Sequence, residues 1–256
     1  MLNDPRVSAS IVLYHSGQRV LDTVRCVQSS EEPVELYVVD NSPQDVTARR
    51  ISMQCPEAHI LPQPRNLGYG AGHNVVLRQL HSTYHLILNP DITFEPALLG
   101  QMVAFMDANP DVVILTPRVF NPDGTEQFLP RRAPTVRYLL GGRLGRYSGY
   151  FRRMRAEYTL EGATLEVPME VQYATGCFLF IRSKALYRLG GFDEQYFLYH
   201  EDSDLSRKAL EMGKIVYHPD FRVVHDWHRD SAHSTRALRN HIVSTWKYFR
   251  KWGWAW

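Results

Sequence analysis

Cysteine is scarce: Cys26, Cys55 and Cys177 are the only three, and no two share a metal-ligand spacing. That argues against a zinc site and a disulfide scaffold, and leaves three reduced, mostly buried thiols. Long apolar runs are missing as well. No stretch approaches the ~18 residues of a membrane-spanning helix, and the run at 11–14, behind Asp4, Pro5 and Arg6, is too short for a signal-peptide core. The expectation is a cytoplasmic chain. Net charge is also small, +2 from 29 basic and 27 acidic residues, so the overall balance names no partner.

The charge that is present is unevenly spread. No acid occurs between Glu126 and Glu157, a stretch holding eight arginines from Arg131 to Arg155, and none follows Asp230, where Arg236, Arg239, Lys247, Arg250 and Lys251 alternate with Trp246, Trp252, Trp254 and Trp256. In 135–155 apolar residues recur at steps of three and four (Val136, Leu140, Leu144, Tyr147, Phe151, Met154). This is an interfacial-helix pattern weakened by Gly141, Gly142, Gly145 and Gly149, each costing ~1 kcal/mol relative to alanine, and the segment is expected to order only on contact. The tail repeats the pattern with Leu238, Ile242, Thr245, Phe249 and Trp252. Both segments are expected to dock on an anionic membrane face, with packing on the protein's own core or in a homodimer as the competing expectation for the tail. Nucleic acid is not expected as a partner, because acidic clusters share the rim on which a phosphate backbone would lie.

With 256 residues, 44% of them hydrophobic, the chain can bury the core of a large α/β domain. Strand-like runs alternate with helical patterns through the first half, predicting strand–helix–strand units around a mostly parallel sheet. Strands are expected at 7–14, 34–39, 84–88, 112–115 and 171–181, helices after 20 and over 95–108, and a turn at Asn121-Pro122-Asp123-Gly124. The expected organisation is a domain over 1–232, with a nucleotide-binding half to about 100, an acceptor half to 232 containing a mobile basic segment at 131–170, and a C-terminal helix over 233–256.

Ligands of an open parallel sheet bind beyond the carboxyl ends of its strands. Asp40 ends one strand there, and Asp91, in Asn89-Pro90-Asp91, ends another. A carboxylate so placed suits Mg²⁺ or Mn²⁺ holding a diphosphate, since hard cations prefer oxygen. His225, at the end of the strand 221–224, is a candidate second ligand, whereas His228 and His233 read as polar surface. Glu201, Asp202 and Asp204 open a helix behind the aromatic run 196–199. Acids crowded against apolar rings have raised pKa values and make usable general bases. Asn66 to Gly72 departs in spacing from a dinucleotide-binding loop and follows a proline-rich stretch, so its glycines are expected to permit close backbone approach instead.

Taken in order, Ile11-Val12-Leu13-Tyr14, Val38-Val39-Asp40-Asn41-Ser42, Asn66-Leu67-Gly68-Tyr69-Gly70, Leu88-Asn89-Pro90-Asp91, Arg132-Ala133-Pro134, Thr175-Gly176-Cys177, Gly191-Phe192-Asp193-Glu194, Glu201-Asp202-Ser203-Asp204-Leu205 and His225 resemble the inverting family 2 glycosyltransferases, in their bacterial rhamnosyltransferase-like branch. The resemblance implies a single Rossmann-like domain of GT-A type, with a mixed, mostly parallel sheet flanked by helices and a C-terminal helix appended. It implies transfer of a sugar, L-rhamnose from dTDP-L-rhamnose or another sugar such as galactofuranose, glucose or N-acetylglucosamine from its own nucleotide diphosphate. The acceptor would be a polyprenyl-diphosphate-linked saccharide at the inner membrane surface, in surface polysaccharide synthesis. It also implies that Asp40 contacts the nucleobase in a pocket walled by the backbone of Leu13 and Tyr14, with Asn41, Asn66, Gly68, Asn89 and Arg132 along the donor. Asp91 and His225 would hold a divalent cation, Asp202 would be the base, and Glu201 its catalytic neighbour. Asn89 stands where the family's metal motif has its first acid.

Overall fold

The structure, a computed structural model, describes residues 5–42, 44–161, 166–226 and 235–256; His228 and His233 lie outside the described residues. Its centre is a mixed sheet of nine strands: β1 (Val7–Leu13), β2 (Val34–Asp40), β3 (His59–Pro62), β4 (Tyr84–Leu88), β5 (Ile92–Phe94), β6 (Val112–Phe120), β7 (Met169–Glu170), β8 (Phe178–Arg182) and β9 (Lys214–His225). The order is β3-β2-β1-β4-β8-β6-β9-β5, with β7 added on β9.

Strand direction explains where the site lies. β1, β2, β3 and β4 are mutually parallel, so Leu13, Asp40, Pro62 and Leu88 end at one rim. β8 runs antiparallel to both β4 and β6, and β9 runs parallel to β6, which brings the carboxyl end of β9 back to that rim. His225 therefore pairs with Ile92, the residue after Asp91, although the two lie 133 positions apart in the sequence.

Helices cover both faces. Val20, Val24 and Val27 form the buried stripe of α1 (Val20–Gln28), which packs with Leu99, Met102 and Met106 of α4 (Leu98–Ala108) on one face. α4 starts three residues later than the sequence pattern predicts, because Pro96 and Ala97 form the turn before it. Opposite, Leu186 of α7 (Ser183–Arg188), Phe192, and Leu205 and Ala209 of α8 (Glu201–Ala209) cover Ile87, Leu179 and Ile181. α2 (Thr47–Gln54) flanks the β2 side through Ala48 and Ile51.

Two stretches differ from expectation. The strand expected from 171 begins only at Phe178, because 171–177 is irregular and turns its polar groups toward α8. The basic segment forms two helices, α5 (Val136–Leu144) and α6 (Gly149–Tyr158), capped by the hydroxyls of Thr135 and Ser148. Gly141 is not a weak point there. A Cβ on it would lie 2.6 Å from Cβ of Met154, so the absent side chain is what lets the helices approach.

The last helix, α9 (Thr235–Trp252), packs one face on the chain itself: Tyr248 and Phe249 join Tyr196 and the α5 residues Val136 and Leu139 in a small core. Leu238, Ile242 and Trp246 of the same helix stay exposed. Among the described residues, no helix is long and apolar enough to cross a membrane.

Candidate active site

The loop after β4 is held from three directions. Thr23 of α1 donates its hydroxyl to the Pro90 carbonyl (2.9 Å), Asn89 donates its N–H to the Cys177 carbonyl (2.9 Å), and the Asp226 N–H donates to the Asp91 carbonyl (3.0 Å). Asp91 is thereby set against His225, with Oδ1 3.3 Å from Nε2, and the Asn89 amide stands 3.4 Å from the same nitrogen. Oδ1 of Asp91 is buried and, among the described residues, satisfied by no hydrogen bond. A buried carboxylate oxygen facing an imidazole nitrogen across that gap fits the donor set of a divalent cation. Among the described residues no group of three or more His, Cys, Asp or Glu assembles into a metal site, so remaining coordination positions would fall to phosphate and water.

Asp202 lies at the start of α8, and its carboxylate is oriented by neighbours from the irregular stretch. Oδ2 accepts from the Tyr173 hydroxyl (2.7 Å) and from the Gly176 N–H (3.1 Å), while Oδ1 accepts from the Ser203 N–H (2.8 Å). Those two bonds from 171–177 are why that segment cannot be regular strand. Tyr69, at the start of α3 (Tyr69–Asn74), donates to the Gly176 carbonyl (2.5 Å) and ties this stretch to the rim. Burial raises the pKa of its phenol well above the ordinary value, reinforced by the charges of Cys177, Glu201, Asp202 and Asp91 around it. Cys177, buried between Asp91 and Asp202, has its thiol pushed up to about 12 by burial first and those acids second. It is an inert packing thiol.

Glu201 points the other way. It is buried, its Oε2 has no partner, and its Cβ lies beside Gly70. Burial, then the neighbouring Asp202, raises its pKa well above the usual carboxylate range. Asp204 is fully buried and bound to α9: Oδ1 accepts from Lys251 (2.7 Å) and from the Trp252 indole N–H (2.7 Å). The three acids that look alike in sequence thus have three different surroundings.

The residues before α8 carry backbone strain. Tyr199 and His200 are both left-handed, at φ 71° and 66°. The His200 ring stacks on Tyr248 of α9 (5.2 Å between centroids), and its Nε2 lies 3.0 Å from the Thr245 hydroxyl. Burial lowers its pKa to about 4, so the ring is neutral at pH 7.

Tyr14, Asn41, Asn66 and Gly68 line a cavity of about 300 Å³ together with Val12, Tyr69, Phe197 and residues of α9. Leu13 contributes backbone only: its side chain is buried in the core and its carbonyl accepts from the Asn41 N–H (3.0 Å). Asp40 is buried and is not among the residues lining the cavity; its Oδ1 accepts from the Ser42 N–H (2.9 Å). Gly68 has φ 93°, and a Cβ there would overlap the Phe197 carbonyl, so this glycine permits close approach of backbone to backbone. The Asn41 amide donates to the Gly68 carbonyl (3.0 Å) and seals that contact.

Arg132 is exposed, and among the described residues only its backbone N–H is engaged, by the Tyr158 carbonyl. Its neighbour Arg131 turns inward instead, over the Tyr158 ring and within electrostatic reach of Tyr173 and Asp202. Sequence reasoning missed Arg131, and no signal in Arg-Arg separates the two. Beyond Tyr158 a larger recess of about 720 Å³ opens between α5 and α9, lined by Val136, Leu139, Tyr199, Ile242 and Trp246 among others.

The structure is thus a mixed α/β domain with two acid sites and a histidine on one sheet rim. The Glycosyl transferase family 2 model matches residues 8–190, and the chain belongs to that family. It is 29% identical over 231 residues to the N-acetylglucosaminyl-diphospho-decaprenol L-rhamnosyltransferase of Mycobacterium tuberculosis, covering 84% of this chain and 73% of that one. It is 35% identical over 83 residues to rhamnosyltransferase WbbL of Escherichia coli K12, covering 32% of this chain and 31% of that one. Among solved structures, the mannosyltransferase PcManGT of Pyrobaculum calidifontis, in complex with GDP-Man and Mn²⁺, superposes with a TM-score of 0.64 at 17% identity. That match covers 97% of this chain but 65% of the other, so the chain spans less than two thirds of that structure.

Proposed function

We propose that the protein is an inverting, metal-dependent rhamnosyltransferase that moves L-rhamnose from dTDP-L-rhamnose to a polyprenyl-diphosphate-linked N-acetylglucosamine acceptor in bacterial surface polysaccharide synthesis. The observation that carries this reading is the pairing of Asp91 with His225 at 3.3 Å on the rim to which α8 also presents Asp202. The transferred rhamnose follows the names of the two rhamnosyltransferases the chain is similar to, and the polyprenyl-diphosphate acceptor follows the Mycobacterium one; dTDP is the carrier that the resemblance in the sequence implies.

In this reading the base stacks beside Tyr14 in the cavity that Asn41, Asn66 and Gly68 line. Asp91 and His225 would hold Mg²⁺ or Mn²⁺, which when bound neutralises charge on the diphosphate leaving group. Asp202, fixed by Tyr173 and Gly176, takes the proton from the acceptor hydroxyl as its oxygen attacks the anomeric carbon. The bond from that carbon to the diphosphate breaks on the opposite side, so one displacement inverts the centre. Arg131 supplies fixed positive charge near Asp202, and Glu201, turned inward, supports the start of α8 without touching substrate.

The recess between α5 and α9, with exposed Leu238, Ile242 and Trp246, supports peripheral docking on an anionic bilayer. The test of the function is incubation with dTDP-L-rhamnose, a synthetic N-acetylglucosaminyl-diphospho-prenol and Mn²⁺, with the product's anomeric configuration read by NMR. Inverted linkage is expected. Retention, or transfer only from UDP- or GDP-sugars, overturns it.

A further inference from the structure

The turn after β6 is wired to His225 through hydrogen bonds that run in one direction only. Asp123 accepts from the Thr125 hydroxyl (2.6 Å) and from the Thr125 N–H (2.9 Å). A hydroxyl has a single hydrogen, so Thr125 Oγ1, having donated it, is an acceptor for the Asn121 amide nitrogen (2.8 Å). That leaves Asn121 Oδ1 to accept from the Gln127 amide nitrogen (2.7 Å). The other hydrogen on the same Gln127 nitrogen goes to the His225 backbone carbonyl (2.8 Å), which is an acceptor in every protonation state. Gln127 is therefore oriented from two independent ends, and its Oε1 accepts from Nδ1 of His225 at 3.0 Å.

The consequence falls on the other ring nitrogen. In a neutral imidazole with its hydrogen on Nδ1, Nε2 carries the lone pair, and Nε2 is the atom facing Asp91. We propose that Gln127 is a positioning residue that locks His225 in the Nδ1–H tautomer and so keeps Nε2 available to a divalent cation beside Asp91. The cation is the one in the proposed function, and the inference rests on that reading. Backbone pairing holds the lock in place: the Gln127 N–H donates to the Val119 carbonyl (2.9 Å), and the adjacent Phe120 pairs with Val224. The turn motif between Asn121 and Gly124 thereby acquires a task beyond reversing the chain, since its aspartate sets the polarity of every bond up to the ligand. Burial is no requirement at Asp123, because a carboxylate accepts whether or not water also reaches it.

Long-range ¹⁵N–¹H spectra of the histidine rings, taken above their titration, read the tautomer directly. Mn²⁺ uptake, followed by the EPR signal of the free ion with and without dTDP, reads its purpose. The wild type is expected to show Nδ1–H at His225. Gln127→Leu is expected to move it toward Nε2–H and to weaken Mn²⁺ binding roughly 10–100-fold. An Nε2–H signal in the wild type overturns the lock outright, even if the leucine variant fails to fold. So does a leucine variant that retains both the Nδ1–H signal and the Mn²⁺ affinity. A wild type that shows Nδ1–H yet takes up no Mn²⁺ in either condition overturns the cation reading itself, and with it this role for Gln127.

Discussion

Lys251, in the last turn of α9, is ion-paired at 2.7 Å with Asp204, a residue of α8 with no solvent exposure. Asp204 lies two positions after Asp202, so the C-terminal helix is anchored within the same helical turn as the proposed base. Asp204 also accepts from the Trp252 indole. Each member of the ion pair has a second charged partner, Lys208 at 3.6 Å from Asp204 and Asp193 at 2.7 Å from Lys251, so losing either one is expected to cost less than the about 3–5 kcal/mol of an isolated buried pair. Asp204→Ala is expected to unfold at clearly lower urea than the wild type, and Lys251→Met to lose less, since that lysine is partly solvated. Equal urea midpoints for all three proteins would show that α9 is not anchored through this pair.

Asp202→Asn is expected to lower kcat by ~10²–10⁴ with dTDP binding little changed, the usual loss when a positioned base is removed. Tyr173→Phe deletes one hydrogen bond to the same carboxylate. A bond to a charged group contributes about 1.5–3 kcal/mol, so a loss of roughly ten- to a hundredfold is expected there. Steady-state transfer rates beside calorimetric dTDP titrations separate chemistry from binding. An asparagine variant with near-normal turnover would remove Asp202 from the chemistry.

Glu201 makes stability depend on pH in a stated direction. Its folded pKa is raised by burial, so the folded state holds a proton that the unfolded chain releases at a lower pH. The favourable contribution is complete below the unfolded carboxylate value and is lost as pH rises toward the folded one. Glu201→Gln carries no such charge. Its melting temperature is expected to match the wild type near pH 4 and to exceed it at pH 8 by at least the ~2–4 °C that 1 kcal/mol moves a chain of this size. A difference that is constant across that range would show that Glu201 does not titrate differently in the two states.

Sedimentation with vesicles tests the exposed side of α9. Binding to phosphatidylglycerol vesicles at low salt is expected, falling as salt rises and falling further in a variant carrying Leu238→Ser, Ile242→Ser and Trp246→Ser. These three side chains are exposed, so the triple variant should fold normally. Binding that ignores both salt and the triple substitution would reject the membrane face, and a dimer that dissociates in the variant would assign the surface to a second copy.

Much of the frame was legible in the sequence. Valines and isoleucines in short runs give the parallel strands, and a parallel sheet delivers Asp91 and His225 to one rim whatever their distance along the chain. What stayed hidden depends on contacts between distant segments. Arg131 and Arg132 are chemically equivalent neighbours, and the pairing of Arg131 with Tyr173 across the chain selects which one turns inward. Glu201, Asp202 and Asp204 share a helix start, but Gly70, Tyr173 and Lys251 give them separate environments. Gly141 of α5 reads as helix weakness because propensity is a local quantity, whereas its value lies in the approach of Met154. Gln127 looks like ordinary turn polarity until its bonds are followed one by one.

The left-handed pair Tyr199 and His200 limits how this enzyme can be engineered for durability. Glycine at either position would relax the main chain, and a campaign guided by backbone geometry alone would choose it. At His200 the same change deletes the ring lying on Tyr248, and with it a brace between the C-terminal helix and the acid-bearing one. Relief of torsion there would come with looser placement of Asp202, the proposed base, so heat resistance is better sought at exposed positions instead.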